Sequence, residues 1–176
     1  RLLAGNFATT VARARFEREL ETIAALNHPN IVRAVGIASS EHHPVLVMEW
    51  IDGVPIDRWA DQSKHAGRDL DTMIRVFLEV CDAVHHAHQR GVIHRDLKPS
   101  NILVDASDRP HLLDFGLAKI GGPNAALLSS VTGTRDFLGT PAYAAPEQVR
   151  GDHEAMDVRT DVYALGVILY RMLTGR

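Results

Sequence analysis

The stretch Gly91-Val-Ile-His-Arg-Asp-Leu-Lys-Pro-Ser-Asn-Ile-Leu-Val104 decides how this chain reads. Two short apolar runs, Val92-Ile93 and Ile102 to Val104, predict strands on either side of a polar loop. That loop carries an acid, a base and an amide: Asp96, Lys98 and Asn101. A loop held at both ends fixes polar groups in place, as a loose surface loop does not. Asp96 is suited to accept a proton, Lys98 to neutralise a phosphate, and Asn101 to offer a neutral oxygen to a hard cation. Each residue type is ordinary in loops, so the trio alone does not define a site.

Working outward toward the C-terminus, a polar turn at residues 105–109 precedes another apolar strand, Pro110 to Leu113, which ends in Asp114-Phe115-Gly116. The short turn predicts a hairpin that returns Asp114 toward Asn101, making the two a pair of oxygen ligands suited to magnesium. "HRDLKPSN" (94–101), "DFG" (114–116) and "APE" (145–147) follow one another in the order and at the spacing of the protein kinase family. The chain is therefore similar to a eukaryotic-type serine/threonine protein kinase of bacterial-like form. Lys98, two residues after Asp96, and "GTPAYAAPE" (139–147) resemble the serine/threonine branch rather than the tyrosine branch.

Composition sets the outer bounds. The chain has 176 residues, 45% hydrophobic and 23% charged, with a net charge of -3, which is ordinary for a globular protein and argues against a dedicated nucleic-acid or membrane surface. Its single cysteine, Cys81, permits no internal disulfide. No signal peptide opens the sequence, and no run reaches the roughly 18 apolar residues of a membrane span.

Taken from the start, residues 10–27 predict a helix, with Phe16, Leu20, Ile23 and Leu26 at intervals of three and four and Thr10 as a cap. By residue type alone Glu19 is one more solvated charge on it. "FERELETIAALNHPNIV" (16–32) resembles the family's αC helix running into the next strand, which puts Glu19 where the family has its ion-pairing glutamate. The lysine it would pair is not found, because residues 1–18 contain none, and no glycine-rich loop precedes it. Residues 44–51 form an apolar run suited to a buried strand; in the resemblance they are the last N-lobe strand and hinge, with Met48 as gatekeeper and Glu49 to Ile51 offering backbone groups to adenine. Residues 69–90 predict a long helix with Ile74, Phe77, Cys81 and Val84 on one face, matching αE. Its His85, His86 and His88 lack partners at ligand spacing and have an electrostatic reason to stand near a helix C-terminus. Residues 117–138 are small and polar; residues 158–174 predict another helix with an apolar face of Val162, Leu165, Leu169, Met172 and Leu173, matching αF.

The resemblance implies an α+β, bilobal kinase-like fold, with a partial N-lobe over residues 1–51 (αC to hinge) and a partial C-lobe over 52–176 (through αF). It implies a fragment, inactive by itself and marginally stable; a kinase degenerate by nature is the competing account. It further implies ATP-dependent phosphoryl transfer to Ser/Thr hydroxyls of a protein substrate. Asp96 would be the catalytic base, Lys98 would meet the transferred group, and Asn101 and Asp114 would hold Mg2+. Leu103 would lie under the adenine, and His94 and Phe115 would stack with Ile23 and Ala34. Asp161 would hold the catalytic-loop backbone, Thr140 would tie the substrate segment to Asp96 and Lys98, and Glu147 would pair an arginine beyond residue 176. Phosphate on Thr132 or Thr134, with Ser129 and Ser130 as competitors, would dock on Arg95. A cytoplasmic location, with membrane anchoring by a segment outside this chain, and a dimer for autophosphorylation complete the expectation. A non-catalytic kinase-fold scaffold is the alternative from another class.

Overall fold

The computed structural model describes residues 21–40, 43–66, 69–113, 115, 141–152 and 154–176. Among these, residues 21–27 and 33–50 form one compact unit, and residues 28–32 and 51 onward form a second.

In the first unit residues 21–24 are helical, and the Leu26 amide donates to the Ile23 carbonyl to close the helix. The earlier part of the helix expected over 10–27 lies outside the described residues. Strand β1 (Ala34–Ser40) pairs antiparallel with β2 (His43–Met48), with a register shift between Ala34 and Gly36. The expected run of 44–51 thus stops as a strand at Met48. One more bond continues the pairing, from the Glu49 amide to the Arg33 carbonyl at 3.1 Å, and Trp50 then stands 89% exposed.

The second unit contains β3 (Gly53–Pro55), helix α1 (Ile56–Ala66), helix α2 (Leu70–His88), β4 (Ile102–Asp105), β5 (Pro110–Leu112), a short helix α3 (Pro146–Arg150) and helix α4 (Val158–Thr174). Its sheet has the order β3-β4-β5, antiparallel throughout. Gly53 is required at the sheet edge, because a Cβ there would fall 2.8 Å from the Val104 carbonyl oxygen. Residues 28–32 add to the other edge. Ile31 bridges Leu112, Leu112 N–H donates to the Asn30 carbonyl at 2.8 Å, and Val32 N–H donates to the Leu112 carbonyl at 3.0 Å. The Asn30 side-chain Nδ2 also donates to the Pro110 carbonyl at 2.9 Å, so "HPN" (28–30) is a sheet-docking turn.

Helix α2 starts where Asp69 Oδ1 accepts from the Thr72 amide at 2.9 Å. It ends at His88, and in the turn that follows Gly91 has a φ of 73°, which suits glycine, and Val92 N–H folds back onto the Ala87 carbonyl. The buried stripe is Met73, Val76, Val80, Ala83, Val84 and Ala87. Of the expected face only Val84 is in it, while Ile74, Phe77 and Cys81 are half-buried. Apolar residues cover more than half of this helix's circumference, so periodicity located the helix but misplaced its face by about one residue. Helix α4 is corrected in the same way. It buries Thr160, Asp161, Ala164, Leu165, Ile168 and Met172, whereas the expected core residues Val162 and Leu173 are 58% and 42% exposed. An Arg171–Asp61 fork at 2.7 and 3.1 Å fastens α4 to α1.

These faces predict different costs. Ile168→Ala, which removes a fully buried side chain, should lower unfolding free energy in urea by about 2–5 kcal/mol. Val162→Ala should stay within about 0.5 kcal/mol. An equal loss in both would contradict the assignment of the buried face.

Candidate active site

The loop between α2 and β4 is irregular at Val92 and Ile93, where the sequence predicts a strand. Two half-buried apolar side chains in a connecting segment read in sequence like a short strand, and no strand among the described residues pairs with them. The loop's rigidity comes instead from Asp161 on α4. Its carboxylate is 1% exposed and accepts three hydrogen bonds. His94 N–H reaches Oδ2 at 2.8 Å, Arg95 N–H reaches Oδ1 at 2.8 Å, and His88 Nε2 reaches Oδ2 at 2.7 Å. The first two are the backbone-holding role expected of Asp161. His88, on the last turn of α2, was missed by sequence reasoning. Its signal was present: a histidine six residues before His94, one helical turn from the loop.

His94 is fully buried, with its ring 5.0 Å from that of Phe115. Its Nε2 meets the Leu113 carbonyl at 2.9 Å, and its Nδ1 takes the Asp96 amide at 3.3 Å. A carbonyl only accepts and an amide N–H only donates, so the ring is the neutral tautomer with its proton on Nε2. Burial pushes the His94 pKa down, against the opposing field of Asp161.

Strand β4 begins with a single turn of 3-10 helix, Pro99–Asn101, which brings Asn101 inward to near-complete burial. Its Nδ2 donates to the Asp96 carbonyl at 2.8 Å and to Asp96 Oδ2 at 3.3 Å. Lys98 Nζ reaches the same Oδ2 at 2.8 Å. The structure therefore brings Asp96, Lys98 and Asn101 together around one carboxylate oxygen. The β4–β5 turn is fixed by Asp105, whose Oδ1 accepts from the Ser107 and Arg109 amides and whose Oδ2 meets His111. Leu113 N–H then donates to the Asn101 carbonyl at 2.8 Å, so the hairpin returns as expected to the point next to position 114. Asp114 itself lies outside the described residues, as do Glu19, Thr132, Thr134 and Thr140.

Of the residues expected near a nucleotide, Leu103 is half-buried on β4 opposite Pro55 and His111, and Ile51 is half-buried just before β3. Met48 and Glu49 belong to the other unit. The Glu49 amide is committed to Arg33, and its carboxylate takes the Arg33 guanidinium at 2.9 Å, which leaves the backbone carbonyl as the hydrogen-bonding group it can offer. Glu147 accepts from Thr160 Oγ1 at 2.6 Å, and that bond lowers its pKa; the arginine expected to pair with it would lie beyond residue 176.

Residues 6–176 match the protein kinase domain. The chain is 38% identical over 177 residues, all of this chain, to a Lactococcus lactis protein named a probable serine/threonine-protein kinase PknB, of which the match covers 27%. It is 40% identical over 167 residues, 92% of this chain, to the serine/threonine-protein kinase PknB of Mycobacterium tuberculosis, covering 25% of that protein. It is 40% identical over 166 residues to the serine/threonine-protein kinase Pkn1 of Myxococcus xanthus, with 92% of this chain and 22% of that protein covered. The chain belongs to the protein kinase family. It spans about a quarter of the length of these curated relatives.

The buried neutral His94 sets a pH dependence. Its folded pKa lies below the unfolded value of 6.5, so below pH 6.5 the unfolded chain binds a proton that the folded chain refuses, and stability falls with pH. Urea unfolding between pH 7 and 5 should show this slope shrinking in His94→Asn, by up to about 1.4 kcal/mol per pH unit. Equal slopes in variant and wild type would contradict a neutral His94.

Proposed function

We propose that this chain serves ATP-dependent phosphoryl transfer to Ser or Thr hydroxyls of a protein substrate. The observation that carries the reading is the Asp96–Lys98–Asn101 cluster on a loop fixed by Asp161. Lys98 and Asn101 both occupy Asp96 Oδ2, and Oδ1 accepts no hydrogen bond from the described residues. Oδ1 is thus the atom to receive the proton of an incoming hydroxyl. Asn101 spends its NH2 group on Asp96, which leaves Oδ1 of the amide as a neutral oxygen donor of the kind magnesium prefers. Asp114 would be the second donor. When bound, ATP with Mg2+ supplies the transferable phosphoryl group and neutralises charge on its oxygens.

Lys98 is placed to follow charge from Asp96 to the transferred group, since its ammonium is a mobile point charge and not a fixed fork. Met48, the Glu49 carbonyl, Ile51 and Leu103 would receive the adenine, and Glu19 would order a phosphate-binding lysine. Phosphate on Thr132 or Thr134, held by Arg95, would set Thr140 and the substrate segment beside Asp96. Autophosphorylation between two copies would supply it. Among the described residues no helix is long and apolar enough to cross a membrane; a cytoplasmic location fits the proposed ATP chemistry.

The test is transfer of labelled phosphate from ATP to a generic protein substrate by the full-length protein. Asp96→Asn should lower turnover by about 10²–10⁴-fold with nucleotide affinity nearly unchanged. Asp114→Ala should lose magnesium-dependent nucleotide binding as well. Near-normal turnover in both variants would favour a scaffold. The Thr132→Ala, Thr134→Ala double variant should lose most activity; full activity, with no phosphate found by mass spectrometry between Gly116 and Gly139 of the wild type, would overturn the regulatory part.

A further inference from the structure

Arg95, directly before Asp96, has a left-handed backbone with φ of 62°. A residue with a Cβ holds that conformation only where its surroundings dictate it. Two side chains from different helices do so here. Asp161 Oδ1 takes the Arg95 amide at 2.8 Å, and Gln148 Nε2 donates to the Arg95 carbonyl at 2.7 Å. Both backbone polar groups of the strained residue are thus pinned, one from α4 and one from α3.

Gln148 is the third residue of α3, and its Oε1 accepts from the Ala145 amide at 3.1 Å. That is half of a capping box, with an alanine at the N-cap that has no side chain to return the bond. The same amide therefore bridges the start of the helix after "APE" to the residue before Asp96. The Arg95 carbonyl can only accept and the Ala145 N–H can only donate, so the bridge requires a side chain that donates and accepts at once. Glutamine has the required pair of groups; glutamate and lysine each keep one half.

We propose that Gln148 is a positioning residue, which fixes the direction of Asp96 by holding the Arg95 carbonyl from the helix that follows the substrate segment. This rests on the reading of Asp96 as the base of phosphoryl transfer. The simpler role is helix capping alone, and two substitutions separate the roles. Gln148→Glu keeps the acceptor for Ala145 and places a carboxylate at a helix N-terminus, where it is favoured, but loses the donor to Arg95. Gln148→Lys keeps a donor and loses the cap.

In the full-length protein, Gln148→Glu should lower kcat about tenfold, the scale of one lost hydrogen bond, with KM for ATP within about twofold and a melting temperature above that of Gln148→Lys. Gln148→Lys should melt lower and yet keep kcat within about threefold. In the same full-length protein, hydrogen exchange at residues 94–96 should speed up in Gln148→Glu and not in Gln148→Lys. Wild-type turnover in Gln148→Glu, or equal losses of turnover in both variants, would overturn the proposal. If the wild type transfers no phosphate, the proposed function falls by itself. Exchange then decides: rates at 94–96 in Gln148→Glu equal to wild type remove the Gln148 link as well.

Discussion

The site depends on one buried carboxylate. Asp161 sits on the inward face of α4 with almost no solvent contact, a position in which an uncompensated charge would be untenable. Three donors compensate it, and two of them are consecutive backbone amides of the loop that leads to Asp96. The cost of leaving Asp161 unsatisfied is thereby converted into rigidity of a loop that has no regular secondary structure. His88, only 13% exposed, completes the shell from α2. Helices α2 and α4 and the loop are in this way fixed by one side chain, and the hairpin behind it needs no contact with Asp161 to be aligned. His94 passes the constraint on, since one ring nitrogen holds the Leu113 carbonyl and the other holds the Asp96 amide.

The sequence made the site far more legible than the packing around it. Asp96, Lys98 and Asn101 lie within six residues of one another, so a single loop conformation brings them together and little depends on tertiary context. The hairpin through Asp105 is similarly local, with a polar turn between two apolar runs. Helix faces were harder. In α4 the buried set includes Thr160 and Asp161, which no apolar pattern would select, while Val162 and Leu173 look like core residues and are exposed. Which face is inward is set by partners tens of residues away, and periodicity carries no information about them. His88, Thr160 and Gln148 escaped notice for the same reason. Each acts through a partner between 13 and 73 residues distant, at a position whose residue type is unremarkable.

Val92 and Ile93 show the complementary error. Two apolar residues before a polar loop read as a strand because buried segments and strands share composition. What distinguishes them is whether a neighbour offers a ladder of hydrogen bonds. Here Val92 donates to the end of α2, and the next two amides after Ile93 donate to a side chain. These three amides are thus satisfied without a strand, and the chain is free to take the left-handed turn at Arg95 that a ladder would forbid.

The contrast between Asp161 and Asp96 separates stability from function. Asp161 is deeply buried, and its bonds are structural. Asp96 is 42% exposed and its partner Lys98 28% exposed, so their 2.8 Å contact is of the kind that contributes about 0–1 kcal/mol. Holding Lys98 at that place for stability would be a poor use of a long, flexible cation. An ion pair that costs little to part is, however, what a transfer site needs, because the ammonium must leave the carboxylate as negative charge moves to another group. Asn101, nearly buried and bonded to both the Asp96 carbonyl and carboxylate, would in the proposed transfer keep the acid in place while Lys98 moved. The weak contact and the strong one are therefore complementary: Asp161 fixes the frame, and within it the proposed transfer would leave the charge on Lys98 free to shift.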